Sequence, residues 1–458
     1  MEGTYSIGIL GKKMAEFITE PSREVPVLMD ADVVVVGGGP AGIAASVSAA
    51  RVGAKAVVVE QYGCLGGLIS IGGMEPPSWY RLEQTTMPGG IVEDLDQKMI
   101  AMGATSKTFF HPCAAVAYDT EMFKYVADEF IKENGVIPVL HCLGVTPMMD
   151  GNTITGVITE SKSGRTAIRA KRVIDCTGDA DIAFRAGAEC VMLDGRNGSI
   201  PPAKLHQATL VYGLTDIDTA AVEADADADP ANRNPVMHRG MHHWWEAAQA
   251  AGEQLPEGTN KRFIYNRVTK NEIPAMNHCF VWTDGTDVLA LTRAEIQSRS
   301  DIVKVIPFLR KYARGFENAK LRNFAMAIGI RETRRIKGEY AISFKEIFDE
   351  ARFPDTIGVY PLCLDGPEGV MPGITPAYFQ VPFRLTVPLK IENLLVAGRC
   401  VSAERRAHSV TRHVNFAFVT GQAAGAGAAL SIKQDVPVRN VDIKSLQKEL
   451  KKQRVRID

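Results

Sequence analysis

The sequence predicts an α/β fold: a Rossmann-like dinucleotide-binding domain on a parallel sheet with a β-meander, and an inserted α+β domain. Three observations carry this. The β-branched run Asp32–Val36 reads as a strand buried on both faces. A glycine-rich turn, Gly37–Gly42, follows it directly and opens a small-residue helix over 43–52. A second apolar strand, Lys55–Glu60, completes a βαβ unit.

The remaining elements follow from periodicity and stop signals. Residues 1–30 read as an arm with one short helix around Lys12–Thr19. Helical periodicity covers 91–103 and 120–134, with Gly103 and Gly135 as C-terminal stops. Gly135–Cys142, Thr153–Glu160, Thr166–Ala170 and Val173–Cys176 read as strands. Near residue 195 the chain becomes more polar, and 195–354 is expected to be the inserted substrate or cap domain. Buried-strand character returns over 355–435, with a strand at Leu394–Ala397 and a Gly/Ala-rich helix at Phe416–Ile432. The cofactor domain is therefore expected in two pieces, 31–194 and 355–435, followed by a basic amphipathic helix within 436–458.

Composition excludes several classes of function. A formal net charge of -1 gives no field for nucleic acid or an anionic membrane surface. The eight cysteines form no CxxC pair, which removes the usual zinc and iron–sulfur spacings. Scattered thiols suit a reduced, cytoplasmic protein, and the N-terminus lacks a signal-peptide pattern. The apolar stretch Val33–Ala50 contains three consecutive glycines and a proline, so it reads as strand, turn and helix rather than a membrane span.

Gly37-Gly38-Gly39-Pro40-Ala41-Gly42 is the strongest motif. Gly37 permits the tight turn, Gly39 lets backbone approach a pyrophosphate, and Gly42 lets helix and strand pack. The helix N-terminus then offers free N–H groups and a positive dipole end. Glu60, with Gln61 after it, ends the second strand where an acid can bind ribose hydroxyls. Another glycine pair, Gly66-Gly67, comes shortly afterwards. Thr177-Gly178-Asp179 and Gly398-Arg399 are further turns at strand ends. A single ligand gathering all these loops must be long, which favours FAD over NAD.

Taken together, these segments resemble the FAD-dependent oxidoreductase family, within the glutathione-reductase-like flavoprotein superfamily. The resemblance spans roughly 25–450 and rests on DVVVVGGGPAG (32–42), GCLGG (63–67), DTEMFKYV (119–126), VIDCTGDADIAFRAGA (173–188), GIRETRRIKGEY (329–340), ENLLVAGRCVSA (392–403) and GQAAGAGAA (421–429). It implies non-covalent FAD in an extended pose. The adenosine end would lie near Gly37, Glu60 and Val145, and the flavin between Gly66–Leu68 and the loop before the last long helix. Backbone around Val414 and Asn415 is then expected at flavin N1 and O2, where a helix N-terminus stabilises anionic reduced flavin. Arg412 matches a family arginine that would bind the flavin edge or a substrate carboxylate.

The substrate end departs from the family pattern. His408 and His413 stand where the family more often has apolar residues, and Arg405 stands where it commonly has a histidine. Tyr360–Asp365 replaces its YPxDxH stretch. His413 and His408 are the candidate bases, each against a structural reading. Gly421 and Gly425 read as helix-packing residues, and Cys64 as a packing thiol. His238, His242 and His243 beside two tryptophans read as an aromatic helix rather than a metal site, so no metal is expected. The Asp225–Pro230 run reads as a solvated turn. Arg331, Glu332, Arg334 and Arg335 suit either a cofactor edge or a salt-bridged scaffold.

The leading expectation is hydride transfer between a small polar organic substrate and flavin N5. Electrons would leave to oxygen, a quinone, a carrier protein or a second organic substrate. The alternatives are a flavin-dependent monooxygenase and the flavin subunit of an electron-transfer complex. With only one GxGxxG there is no second nucleotide domain, which argues against a pyridine-nucleotide disulfide reductase. A homo-oligomer is expected.

Overall fold

A computed structural model describes residues 18–75, 88–107, 116–191, 206–228, 243–259, 269–362, 364–366, 369–371 and 378–458. Most of the expected Lys12–Thr19 helix, His238, His242, and Asp229-Pro230 lie outside them.

A seven-stranded sheet organises the chain. Its main path runs Ile137–Val139, Ala56–Val59, Val27–Val36, Gly164–Asp175, Thr153–Ser161, Leu143–Asp150. The first four strands are parallel, and the last three form an antiparallel meander. Leu394–Val396 adds a further parallel pairing, in register with Val173–Asp175.

The valines of the first strand split between two cores, as period-two alternation requires. Val33 and Val35 face the helices Pro40–Val52, Ile91–Ala101, Thr120–Glu133 and Val414–Lys433. Val34 and Val36 face the other core, shared with the meander and the short helix Asp181–Arg185. Pro40 opens its helix at the first turn, and Gly53, at φ +99°, ends it. Asp119 caps Thr120–Glu133 by accepting from the backbone N–H groups of Glu121 and Met122. Both glycine stops, Gly103 and Gly135, have positive φ.

A third core lies within residues 208–328. It joins a three-stranded antiparallel sheet (Glu272–Met276, Tyr212–Thr215, Lys320–Phe324) to the 25-residue helix Val288–Tyr312. No helix among the described residues is long and apolar enough to cross a membrane.

The structure differs from the sequence reading in four places. Thr166–Ala170 and Val173–Cys176 belong to one strand, Gly164–Asp175. The polar pair between them looked like a break, but Lys171 points out to Asp32 and Arg172 reaches across to Ser431 and the Val436 carbonyl. Leu143–Asp150 is a strand that Pro147 concealed; it lies at the end of the sheet path, where a missing N–H costs least. Residues 405–411, expected as loop, form the helix Arg405–Thr411. Asp225–Ala228, expected as a turn, end the helix Thr219–Ala228, with the Asp225 carboxylate 2.9 Å from His243 Nε2.

Candidate active site

Five backbone loops converge at the carboxyl ends of the parallel strands. The first is the glycine turn. Gly37 has φ +99°, and a Cβ there would stand 2.5 Å from the Cys176 carbonyl oxygen. At Gly42 a Cβ would meet the Gly37 oxygen at 1.8 Å, so this glycine sets the helix against the turn. Gly39 differs, because the nearest heavy atom to its missing Cβ is 3.8 Å away. It lines a cavity at the start of a helix that no side chain caps.

Glu60 binds this turn to the next loop. Its Oε2 accepts from Gly38 N–H at 2.7 Å and its Oε1 from Tyr62 N–H at 2.9 Å. Burial raises the Glu60 pKa, and these N–H groups oppose the rise. The second glycine loop stacks directly on the first. Gly66 donates to the Gly38 carbonyl at 2.9 Å, and a Cβ on Gly67 would lie 2.9 Å from Gly39 Cα.

Asp175 shapes the third loop. Its Oδ1 accepts from Thr177 N–H and Oγ1, and its Oδ2 from the N–H groups of Ile182 and Ala183, capping a short helix. The Asp179 carboxylate then accepts from Arg399 Nη2 at 2.7 Å and from Thr333 Oγ1. This joins the third loop to the fourth, where Gly398 N–H donates to Thr420 Oγ1 at 3.0 Å. Last comes the start of the helix Val414–Lys433, whose N-cap, His413, makes no side-chain cap bond.

These loops enclose a cavity of about 590 Å³. Most sequence-predicted positions line it: Gly37, Gly39, Pro40 and Ala41; Glu60 and Gln61; Gly67 and Leu68; Thr177, Gly178 and Asp179; Gly398 and Arg399; Arg412, His413 and Val414. Five do not. Gly42 and Gly66 sit behind the loops they shape. Val145 lies outside the lining, and its neighbours Cys142, Leu143 and Gly144 are there instead. Asn415 is fully buried one residue past the rim.

His408 is also fully buried and outside the lining, with Nε2 3.1 Å from the Arg399 carbonyl. A carbonyl only accepts, so Nε2 carries the proton. Burial, then Arg335 and His206, push the His408 pKa well down, keeping the ring neutral.

A further part of the lining comes from a stretch of the chain where sequence reasoning placed no site residue. Thr209, Asn277, Glu295 and Arg331 line the cavity, as does Tyr62 beside Glu60. Only Arg331 carried a signal, as part of the charged run. The structure divides that run. Glu332 and Arg335 form a buried ion pair at 3.1 Å and Arg334 pairs with Asp181, both scaffold, whereas Arg331 faces the cavity.

The donor set fits a dinucleotide. Two uncapped helix N-termini supply N–H groups for phosphate or for an anionic ring, and Gly39 leaves space a side chain would fill. Arg399 Nη1 is buried without a hydrogen-bond partner among the described residues. Fold and cavity thus define a dinucleotide-binding enzyme of the parallel-sheet α/β class. The chain belongs to the FAD-dependent oxidoreductase family, whose model matches residues 32–450, and FAD is its cofactor.

No curated protein matches the sequence. Similar solved structures include a geranylgeranyl bacteriochlorophyll reductase-like protein from Thermoplasma acidophilum, with 13% identity, TM-score 0.45, and coverage of 93% of this chain and 84% of that one. A second is an aromatic hydroxylase from angucycline biosynthesis, with 12% identity, TM-score 0.48, and coverage of 93% and 68%. A third is a p-nitrophenol 4-monooxygenase from Pseudomonas putida, with 10% identity, TM-score 0.45, and coverage of 93% and 85%. Likeness at this level carries nothing about this chain's chemistry.

Proposed function

We propose that this oxidoreductase transfers a hydride between a small polar organic substrate (a carboxylate, alcohol or amine) and FAD. The observation that carries the reading is one cavity lined by the Glu60 loops, by Arg412 and His413, and by Thr209, Asn277 and Arg331. The glycine loops and a polar stretch from another part of the chain therefore line the same cavity. In this reading residues 195–354 act as the substrate cap and residues 31–194 and 355–435 as the cofactor domain.

Bound FAD supplies two-electron redox chemistry. The chain's own residues do the rest. The turn at Gly37–Gly39 and the N-terminus of Pro40–Val52 would hold the pyrophosphate, and Glu60 would accept from ribose hydroxyls. Val414, which lines the cavity at the start of the second helix, would offer its N–H and the positive dipole end to the N1/O2 edge of the flavin. His413, at the cavity wall, takes or returns the substrate proton. Arg412 holds a negative group beside it.

The test is anaerobic reduction of the FAD-loaded enzyme by a panel of small carboxylates, alcohols and amines. Bleaching of the flavin by one of them supports the reading. Reduction only by NAD(P)H, with oxygen consumed as substrate is hydroxylated, would assign the protein to monooxygenation instead. Reduction only by a protein partner would make it an electron-transfer subunit.

A further inference from the structure

We infer that the inserted segment helps to hold the cofactor: the first turns of the helix Val288–Tyr312, through Val288, Leu291 and Thr292, cover the adenosine half of FAD. This rests on the placement of the ribose at Glu60 made above, and it gives the inserted segment a role besides that of substrate cap.

Val288, Leu291, Thr292 and Glu295 all line the cavity. Their i, i+3, i+4 and i+7 spacing puts them on one face of the helix. The start of that helix is fixed. Asp287 accepts from Ala290 N–H at 2.8 Å, and Asp284 Oδ1 accepts from Thr286 N–H and Oγ1 in the turn before it. Thr292 Oγ1 donates to the Val288 carbonyl at 2.7 Å, so its hydroxyl is used within the helix. Before Glu295, this face therefore offers a ligand aliphatic groups.

Glu295 ties the face to the Glu60 loops. Its carboxylate is held by Arg299 and by Ile328 N–H, each at 2.7 Å. Burial raises the Tyr62 pKa, and the negative charges of Glu60 and Glu295 raise it further, so both carboxylates act on one hydroxyl. Tyr62 N–H donates to Glu60, and Gln61 and Tyr62 line the same cavity.

Among the described residues, two large apolar side chains are exposed and also line the cavity: Leu143 at 47% and Val288 at 73%. Leu143 follows Cys142, whose N–H donates to the Glu60 carbonyl at 2.9 Å. The sheet and the helix thus each bring an unburied aliphatic group to the cavity that Glu60 borders. Ribose and phosphates need donors and acceptors, which such groups lack. Adenine has flat apolar faces, and contact with them takes the aliphatic surface out of water.

The experiment uses the FAD-loaded enzyme and reads flavin fluorescence as FAD leaves, first on dilution and then in a titration with ADP, which carries only the adenosine half. The variants are Val288→Ser, Val288→Asp and Ile296→Asp. Val288 is exposed at the first helical position, where aspartate suits the helix, and Ile296 is a control, 60% exposed on the same helix but outside the lining. We expect FAD release to quicken about threefold or more in Val288→Ser and about tenfold or more in Val288→Asp. The ADP needed for displacement should move with it, the flavin absorption of the remaining holoenzyme should stay as in the wild type, and Ile296→Asp should change nothing. Wild-type release in both Val288 variants, equal quickening in Ile296→Asp, a shifted flavin spectrum, or ADP that does not displace FAD would overturn the assignment. The two readings fail separately. Val288-dependent release in a holoenzyme that no small metabolite reduces removes hydride transfer and keeps the cover, and reduction by a metabolite with Val288-independent release does the reverse.

Discussion

Gly421 lies so close to Ala41 that a Cβ on Gly421 would stand 2.2 Å from the Ala41 carbonyl oxygen. One turn on, Gly425 meets Ala45 in the same way, at 2.0 Å. The two helices whose N-termini face the cavity are therefore in backbone contact, and their spacing sets the spacing of their ends. Gly421→Ala should force them apart. Overpacking of this kind costs about 1–3 kcal/mol. We expect that loss in chemical denaturation together with reduced FAD content, and a variant with full stability and full FAD would contradict the helix-contact account.

Gly39→Val separates cofactor binding from folding. The nearest protein atom to the added Cβ is 3.8 Å away, and Gly39 has φ -71°, which any residue adopts. The chain should fold normally yet lose FAD, because the side chain would enter the part of the cavity proposed above to take the pyrophosphate. Gly42→Ala should instead destabilise the fold, since its Cβ would lie 1.8 Å from the Gly37 oxygen. Flavin content and thermal denaturation of the two variants, measured side by side, check both.

Asp96 is buried, and its carboxylate accepts from the Tyr118 hydroxyl. Burial pushes its pKa up to about 7, against the lowering effect of that hydroxyl. The folded chain then holds this proton more tightly than the unfolded chain does. Stability falls as pH rises from the ordinary value of 3.8 to about 7, and this group adds no further slope above that. Asp96→Asn mimics the protonated acid. It should be near neutral at about pH 4 and stabilising at about pH 8, with an upper bound of ~4 kcal/mol. Urea denaturation at the two pH values decides; a gain that is the same at both would refute it.

The two candidate histidines should part company. His413→Ala should slow flavin reduction by about a hundredfold or more while FAD content is kept. His408→Ala should act on stability instead, because it strips the Arg399 carbonyl of a buried donor, at a cost of about 1–3 kcal/mol. Any activity titration between about pH 5 and 8 should survive in a folded His408→Gln variant, since burial already keeps His408 neutral. Rapid-reaction kinetics with a reducing substrate, run across that pH range, test all three statements.

Much of the cofactor half was legible because its signals are local. Gly37–Gly42 needs only its own chain neighbours to form a turn, and Val33–Val36 announces burial by composition alone. Leu143–Asp150 was hidden because Pro147 argues against a strand until it is known to sit at an edge. The helix Arg405–Thr411 was hidden because its apolar residues are few and its basic N-terminal residues suggest exposure, whereas Ala407–Thr411 are buried by contacts from distant segments.

The sequence by itself determined the βαβ unit, the order of the glycine loops and the demand for a long dinucleotide, since each rests on residues close together in the chain. Tertiary structure alone decided which side chains meet. It buried His408 beneath Arg399 and set His413 in the cavity lining, though both lie on one short stretch. It brought Thr209, Asn277 and Arg331 to a shared wall across more than a hundred residues of sequence. Spacing along the chain reports local geometry, but which face of an element meets a cavity depends on what packs against the other face.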